Sequence, residues 1–387
     1  MAPRPYGVYV HFPWCTTRCP YCDFAVTTAR PIPAARYARA VVEEVDLRRA
    51  AFDGLACATL YIGGGTPSLW EPAHLAEVIA AVRGLGLPPD AEVTLEANPE
   101  SADSGRARAW RDAGVNRVSI GAQSFDGAVL AKLGRRHGPE RAERAIREVA
   151  AVIPNLSVDL LYGARRSSEE TARADAERVA TLPVGHVSAY ALTLDADVLA
   201  EDVPFARLAR GGRLRFPGEE EVLAQAEEIR RVLLSAGLRR YEISNFARPG
   251  LEARHNRLYW EAESYLGVGA GAVGCVFRAA GALRWSNHRR VPDWFAAVEA
   301  GRPPSAEEEA LSPLQLRNER LMLGLRTAEG IATSTLSGRQ VAEAASLAAA
   351  GLASLREGRL ALTARGMEVH SAVAERLFEA SPGDPGV

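Results

Sequence analysis

The chain has 387 residues, with 46 lysines and arginines against 48 aspartates and glutamates and a formal net charge of −2. Charge this evenly cancelled gives no bulk attraction for nucleic acid or an anionic membrane surface, and no apolar run approaches the roughly 20 residues that span a bilayer. The length predicts one large α/β unit with an appendix, two or three domains in all. Lys132 is the only lysine, so arginine clusters such as Arg289-Arg290 and Arg230-Arg231 carry little signal and read as solvated surface.

From residue 6 to about 193, short apolar, β-branched runs alternate with longer segments of helical period. Strands are predicted at 6–11, 58–62, 92–97, 117–121, 157–162 and 186–192, and helices at 33–51, 72–85, 104–113, 138–152 and 167–181. Repeated βα order gives a parallel sheet with outer helices and right-handed crossovers. Six strands are too few for a closed eight-stranded barrel, so the predicted fold class is α/β, an open, partial (β/α)6 TIM-like barrel. A further helix is predicted at 218–236. The stretch 239–287 reads as irregular, with Gly267, Gly269, Gly271 and Gly274 in close succession among aromatics, and Pro303-Pro304 marks a boundary. Beyond it, helices at 312–325 and 338–350, a helix end, turn and strand over 352–363, and a last helix at 364–378 predict a smaller C-terminal helical, winged-helix-like domain. The predicted domains are therefore 1–237 (barrel), 238–303 (irregular extension) and 304–380 (helical module), with 381–387 expected to fray.

Cys15, Cys19 and Cys22 stand in the spacing C-x-x-x-C-x-x-C, just after the first strand. Three thiolates this close can converge on one inorganic centre, and they are one ligand short of closing a [4Fe-4S] cubane, which leaves one iron open. Two other readings use the same residues. A disulfide with a spare thiol needs an oxidising compartment, whereas the apolar segment 6–13 is interrupted by His11 and does not resemble a signal peptide. Structural zinc needs a fourth ligand, which Asp23 or His11 could supply, but Cys57 and Cys275 have no near cysteine partner to form the usual second pair.

Active sites of barrel-like sheets sit at the C-terminal ends of the strands. There the sequence places Gly63-Gly64-Gly65-Thr66-Pro67, whose glycines permit positive φ and close backbone approach to a ligand, although such a loop is equally a structural turn. Glu96 is an isolated acid in an apolar strand, and needs a partner or a cationic ligand to offset its desolvation. Gln123, Arg135 and Asp159 also fall near strand ends, where their plainest reading is polar contact along a barrel rim.

The cysteine spacing, preceded by Tyr9-Val10-His11-Phe12-Pro13 and followed by the Gly63–Pro67 loop, resembles the radical S-adenosylmethionine (SAM) superfamily, in the branch of oxygen-independent coproporphyrinogen III oxidase. The resemblance implies that Cys15, Cys19 and Cys22 hold a [4Fe-4S] cluster and that SAM binds its open iron through amino and carboxylate groups. It further implies cleavage of SAM to methionine and a 5'-deoxyadenosyl radical. By the same resemblance Tyr9, Gly64, Gly65, Thr66 and Glu96 serve SAM, and Gln123, Arg135 and Asp159 match residues that hold a second SAM in the oxidase. Two departures stand out: Phe24 replaces the oxidase's fourth cysteine, and Tyr162-Gly163-Ala164-Arg165 replaces the family's Tyr-Gly-Leu-Pro.

The stretch Tyr241-Glu242-Ile243-Ser244-Asn245-Phe246, followed by His255-Asn256-Arg257-Leu258-Tyr259-Trp260, resembles the haem-chaperone branch of the same family, and so does Phe24; the likeness runs from about residue 6 to 378. It implies haem as a third ligand, with His255 on the iron, Tyr259 and Trp260 against the macrocycle, and Arg254 and Arg257 near the propionates. The plainer reading of His255 is a core histidine bonded to Asn256. The expected function is a cytoplasmic haem chaperone that passes haem to acceptor proteins, with a membrane-associated acceptor or haem donor among its expected partners, no nucleic acid and no transmembrane segment. The rival is a coproporphyrinogen III oxidase.

Overall fold

The computed structural model describes residues 3–192, 203–212, 214, 216–278 and 281–381. Six strands, β1 (Pro5–Phe12), β2 (Ala56–Gly64), β3 (Glu92–Ala97), β4 (Arg117–Gln123), β5 (Leu156–Tyr162) and β6 (His186–Ala191), lie side by side in chain order and pair in parallel. Helices α1 (Ala34–Arg48), α2 (Pro72–Arg83), α3 (Ser104–Ala113), α4 (Gly127–Lys132), α5 (Pro139–Ala150) and α6 (Glu169–Ala180) connect them. The strands are buried along almost their whole length because both of their faces are covered, as parallel sheets require. The helices bury one stripe. In α5 the buried residues Ala142, Ala145, Ile146 and Val149 follow the i, i+3, i+4, i+7 spacing of a single helical face. Asp103 caps α3 by accepting from the Arg106 N–H, and Gly114, at φ 109°, ends that helix in the left-handed conformation.

Helices α7 (Pro204–Arg210) and α8 (Glu219–Ser235) follow, and then the chain departs from its expected form. The stretch read as irregular is built into the main sheet: β7 (Arg239–Arg240) and β8 (Asn245–Ala247) extend it beyond β6, where β8 runs antiparallel. After α9 (Arg254–Trp260), β9 (Ser264–Val268) pairs in parallel with β1 on the opposite edge. β10 (Val273–Arg278), β11 (Gly281–Asn287) and, past α10 (Val291–Glu299), β12 (Ser305–Leu311) continue from there antiparallel, giving, among the described residues, twelve strands in one open sheet in which β1 and β6 do not meet. The close-set glycines that suggested irregularity lie at strand ends and tight strand contacts. The extension is fixed by the fully buried carboxylate of Glu44 in α1, which accepts from Gly269 N at 2.8 Å, Asn287 Nδ2 at 2.7 Å, Trp294 Nε1 at 2.8 Å and Arg48 Nε at 3.1 Å. A buried charge is tolerated when this fully paired.

The C-terminal module comprises α11 (Pro313–Leu325), β13 (Ile331–Ala332), α12 (Gly338–Ala349), β14 (Ala353–Arg356), β15 (Arg359–Leu362), α13 (Ala364–Glu368) and α14 (His370–Glu379). It has its own apolar core around Leu325, Leu347, Leu360 and Leu377 and a three-stranded sheet in the order β13-β15-β14, the winged-helix-like character expected. Residues 352–363 form a strand–turn–strand hairpin, not a helix end and strand: Glu357 and Gly358 both adopt positive φ (51° and 72°), the two-residue turn that suits a hairpin's twist. The last predicted helix is broken at Val369.

Candidate cofactor site

The cysteine loop leaves β1 at Phe12 and is closed by backbone bonds from Thr27 N to Pro13 O (2.7 Å) and from Cys15 N to Thr27 O (2.9 Å). Cys15, Cys19 and Cys22 then line one cavity of about 380 Å³ at the C-terminal ends of the parallel strands, together with Gly64, Gly65, Thr66, Glu96, Gln123, Arg135 and Asp159. Seven of the eight residues singled out in the sequence for SAM, all but Tyr9, and all three cysteines are separated by up to 144 positions, yet meet here. Residues not assigned to this site from the sequence line it too: Tyr61, Asn98, Arg117, Ser119, Ser188, Tyr190, and Asn256, which was expected beside His255. The polar positions Arg117 and Ser119 on β4, two apart, were the available signal, since residues two apart share a strand face.

The thiols are supported from the wall. Thr66 Oγ1 donates to Cys15 Sγ (3.6 Å) and Arg135 Nη1 to Cys19 Sγ (3.5 Å), while Arg135 Nη2 is held by Asn98 Oδ1 (2.9 Å) and Gly121 O (2.7 Å). Burial pushes the Cys15 thiol up to about 11 against the lowering effect of the Thr66 bond, and a metal centre bound there would favour the thiolate. Among the described residues no group of three His, Cys, Asp or Glu side chains is set to hold a single ion. The three thiols line one cavity, and three cysteine thiolates are a donor set of the kind that holds an iron–sulfur cluster.

Glu96 accepts from Tyr61 Oη (2.7 Å) and Gly64 N (3.0 Å), and burial raises its carboxyl to about 7 against the lowering effect of the Tyr61 bond. Asp159 accepts from Ser119 Oγ at 2.9 Å and is likewise raised by burial. The cavity thus holds desolvated acids suited to a cationic ligand. The structure places Tyr9 elsewhere, in a depression beside His11, Phe24, Tyr259 and Tyr265, with its hydroxyl 2.9 Å from His11 Nδ1. Phe24, 62% exposed, borders both cavities.

The His255-to-Trp260 motif forms α9, and Glu92 fixes its start by accepting from Arg254 N (3.0 Å) and His255 N (2.9 Å). His255 is 1% exposed. Its Nδ1 lies 2.8 Å from Thr59 Oγ1, its Nε2 3.0 Å from Tyr259 Oη, and its ring stacks on Tyr61 at 5.3 Å. Burial lowers its pKa to about 3, so the imidazole is neutral, with both nitrogens occupied. Its partners are Thr59 and Tyr259; Asn256, the partner anticipated for a core histidine, instead lines the cysteine cavity. Arg257 and Trp260 turn the opposite way, into a groove against the C-terminal module, with Arg326 stacked on the Trp260 ring at 4.4 Å. One helix therefore sends side chains in three directions, and the structure does not bring His255 and Trp260 together on one surface.

An iron–sulfur-type thiol triplet at the mouth of an open parallel barrel defines a radical SAM protein. The model of the Radical SAM superfamily matches residues 9–179, and that of the HemN C-terminal domain matches 311–369. The chain is 37% identical over 384 residues to the Heme chaperone HemW of Mycobacterium tuberculosis, covering 98% of this chain and 96% of that one. It is 38% identical over 332 residues to the mitochondrial Radical S-adenosyl methionine domain-containing protein 1 of Bos taurus, covering 84% and 74%. Coproporphyrinogen III oxidase (HemN) from Escherichia coli shares the fold with a TM-score of 0.81 at 21% identity, covering 98% and 91%. The chain belongs to the HemW family of the radical SAM superfamily. Membership implies a [4Fe-4S] cluster and SAM. No helix among the described residues is long and apolar enough to cross a membrane.

Proposed function

We propose that this chain is a haem chaperone of the cytoplasm, which binds haem and passes it to acceptor proteins from a barrel carrying a [4Fe-4S] cluster and SAM. Cys15, Cys19 and Cys22 would hold the cluster, whose open iron supplies the place where SAM is ligated and its sulfonium bond activated. Around it Gly64 and Gly65 give close backbone approach, Thr66 and Arg135 brace the thiols, and Glu96 with Asp159 offers negative charge to a cationic ligand. Gln123, at φ 69°, completes the rim.

The observation that carries the reading is the motif helix, wedged between the cofactor cavity on its Asn256 side and the C-terminal module on its Trp260 side. It accompanies likeness to the Mycobacterium tuberculosis haem chaperone along almost the whole chain. Haem-iron ligation by His255 would require the imidazole to leave Thr59 and Tyr259, so it belongs to an opened arrangement of α9. The test is transfer: protein reconstituted anaerobically and loaded with one equivalent of haem is mixed with a haem-free globin, and the absorption change is followed. Haem uptake followed by handover supports the chaperone; failure to take up haem removes it.

A further inference from the structure

Between α9, α11 and the β13–β15 wing lies a groove of about 850 Å³, within the range of small-molecule sites and separate from the cysteine cavity. Trp260, whose ring also carries the Arg326 guanidinium at 4.4 Å, lines the groove with Arg257, Arg317, Arg320 and Arg359 against, among the described residues, two carboxylates, Glu261 and Glu329. The two acids sit with Arg257, at 3.3 Å and 3.4 Å. Arg359 is turned onto the carbonyls of Glu329 and Gly330. That leaves the α11 pair, one turn apart. Arg317 donates to Ser381 Oγ through Nη2 while its buried Nε has no partner, and Arg320 lies over the Phe277 ring at 5.8 Å with no carboxylate in ion-pair range among the described residues. Among the described residues no histidine, cysteine or methionine lines the groove.

A flat apolar body with carboxylates along one edge matches this distribution: the ring against Trp260, the acids on Arg317 and Arg320. We propose that the groove is the seat of the tetrapyrrole, gripped by its face and its propionates and not by its iron; this rests on the haem reading above. A carrier that must give up its cargo gains from such a grip, because affinity is mostly set by how slowly the ligand leaves, and a strong axial bond would slow the handover. His255, closed on Thr59 and Tyr259, takes no part in this seat.

The experiment is quenching of tryptophan fluorescence in the full reconstituted chain by haem, metal-free protoporphyrin and protoporphyrin dimethyl ester. A groove that reads face and propionates binds the metal-free ring within about threefold of haem and the ester at least about tenfold more weakly. The pair Arg317→Gln and Arg320→Gln should weaken both acids by about tenfold, with circular dichroism and iron–sulfur absorption unchanged; Trp260→Phe should restore most of what Trp260→Ala loses. Haem binding without binding of the metal-free acid, or affinity indifferent to the ester or to the arginine pair, overturns the groove and leaves the chaperone standing. Binding of neither haem nor porphyrin overturns both.

Discussion

The Tyr61 ring lies on the imidazole of His255 at 5.3 Å between centroids. The same Tyr61 donates its hydroxyl to Glu96, so the cofactor cavity and the haem-motif helix share one side chain as a wall. Tyr61→Phe keeps the wall and removes the hydroxyl. The lost bond was holding the Glu96 carboxyl down, so its pKa should climb further above 7. SAM is cationic and favours the carboxylate, so SAM affinity should rise with pH through about 7 in the parent. In the variant it should be about tenfold weaker at pH 7 and recover at higher pH. Equilibrium titrations across pH 6–9 check this, and a flat profile in both proteins would count against Glu96 as a SAM contact.

His255 should make stability pH-dependent. Its pKa falls from 6.5 to about 3 on folding, chiefly through desolvation, so the unfolded chain takes up a proton that the folded chain refuses. The stability it permits is present above 6.5 and is lost as pH falls toward 3, at up to about 1.4 kcal/mol per pH unit. Denaturant unfolding at several pH values should show that slope, and His255→Gln should flatten it.

Releasing the imidazole should leave haem capture unchanged, because the groove seat does not use His255. Tyr259→Phe deletes the hydroxyl on Nε2 at 3.0 Å, costing about 1 kcal/mol of stability. Stopped-flow mixing with haem should give the same spectrum and rate as in the parent. A faster reaction or a histidine-ligated spectrum in the variant would bring His255 into the haem seat.

Glu92 anchors α9 through two backbone N–H groups and lies 4.0 Å from Arg117, both side chains being buried. Glu92→Gln leaves the arginine uncompensated and should cost about 3–5 kcal/mol, read from the denaturation midpoint. Gly7→Ala tests the same packing from the other side: a Cβ there would sit 2.8 Å from His255 Cε1, and overpacking of this kind costs about 1–3 kcal/mol.

The parallel core was legible because each of its strands is a short apolar run between turn signals. The cavity was legible because cysteine spacing, a Gly-rich loop and isolated acids are strong local signs. The three outward uses of α9 were not. Which face of a seven-residue helix meets which neighbour depends on contacts far apart in sequence, such as Thr59 with His255. The edge strands β9–β12 were missed for a similar reason: Gly267 and Gly274 read as breakers, while the sheet uses them where neighbouring backbone or the Trp285 ring comes too close for a side chain. Tyr9 shows the period-2 rule at work, since a neighbour on the strand can face a different cavity.

The most direct measurement is a parallel assay of anaerobically reconstituted protein carrying cluster and SAM, with haem in one arm and coproporphyrinogen III in the other. The triple change of Cys15, Cys19 and Cys22 to Ala should abolish the iron–sulfur absorption, whereas replacing the buried Cys57 and Cys275 should not. A haem chaperone takes up about one haem per chain and decarboxylates no coproporphyrinogen. Protoporphyrinogen formed at the rate of a true oxidase run alongside, with no haem retained, would contradict it.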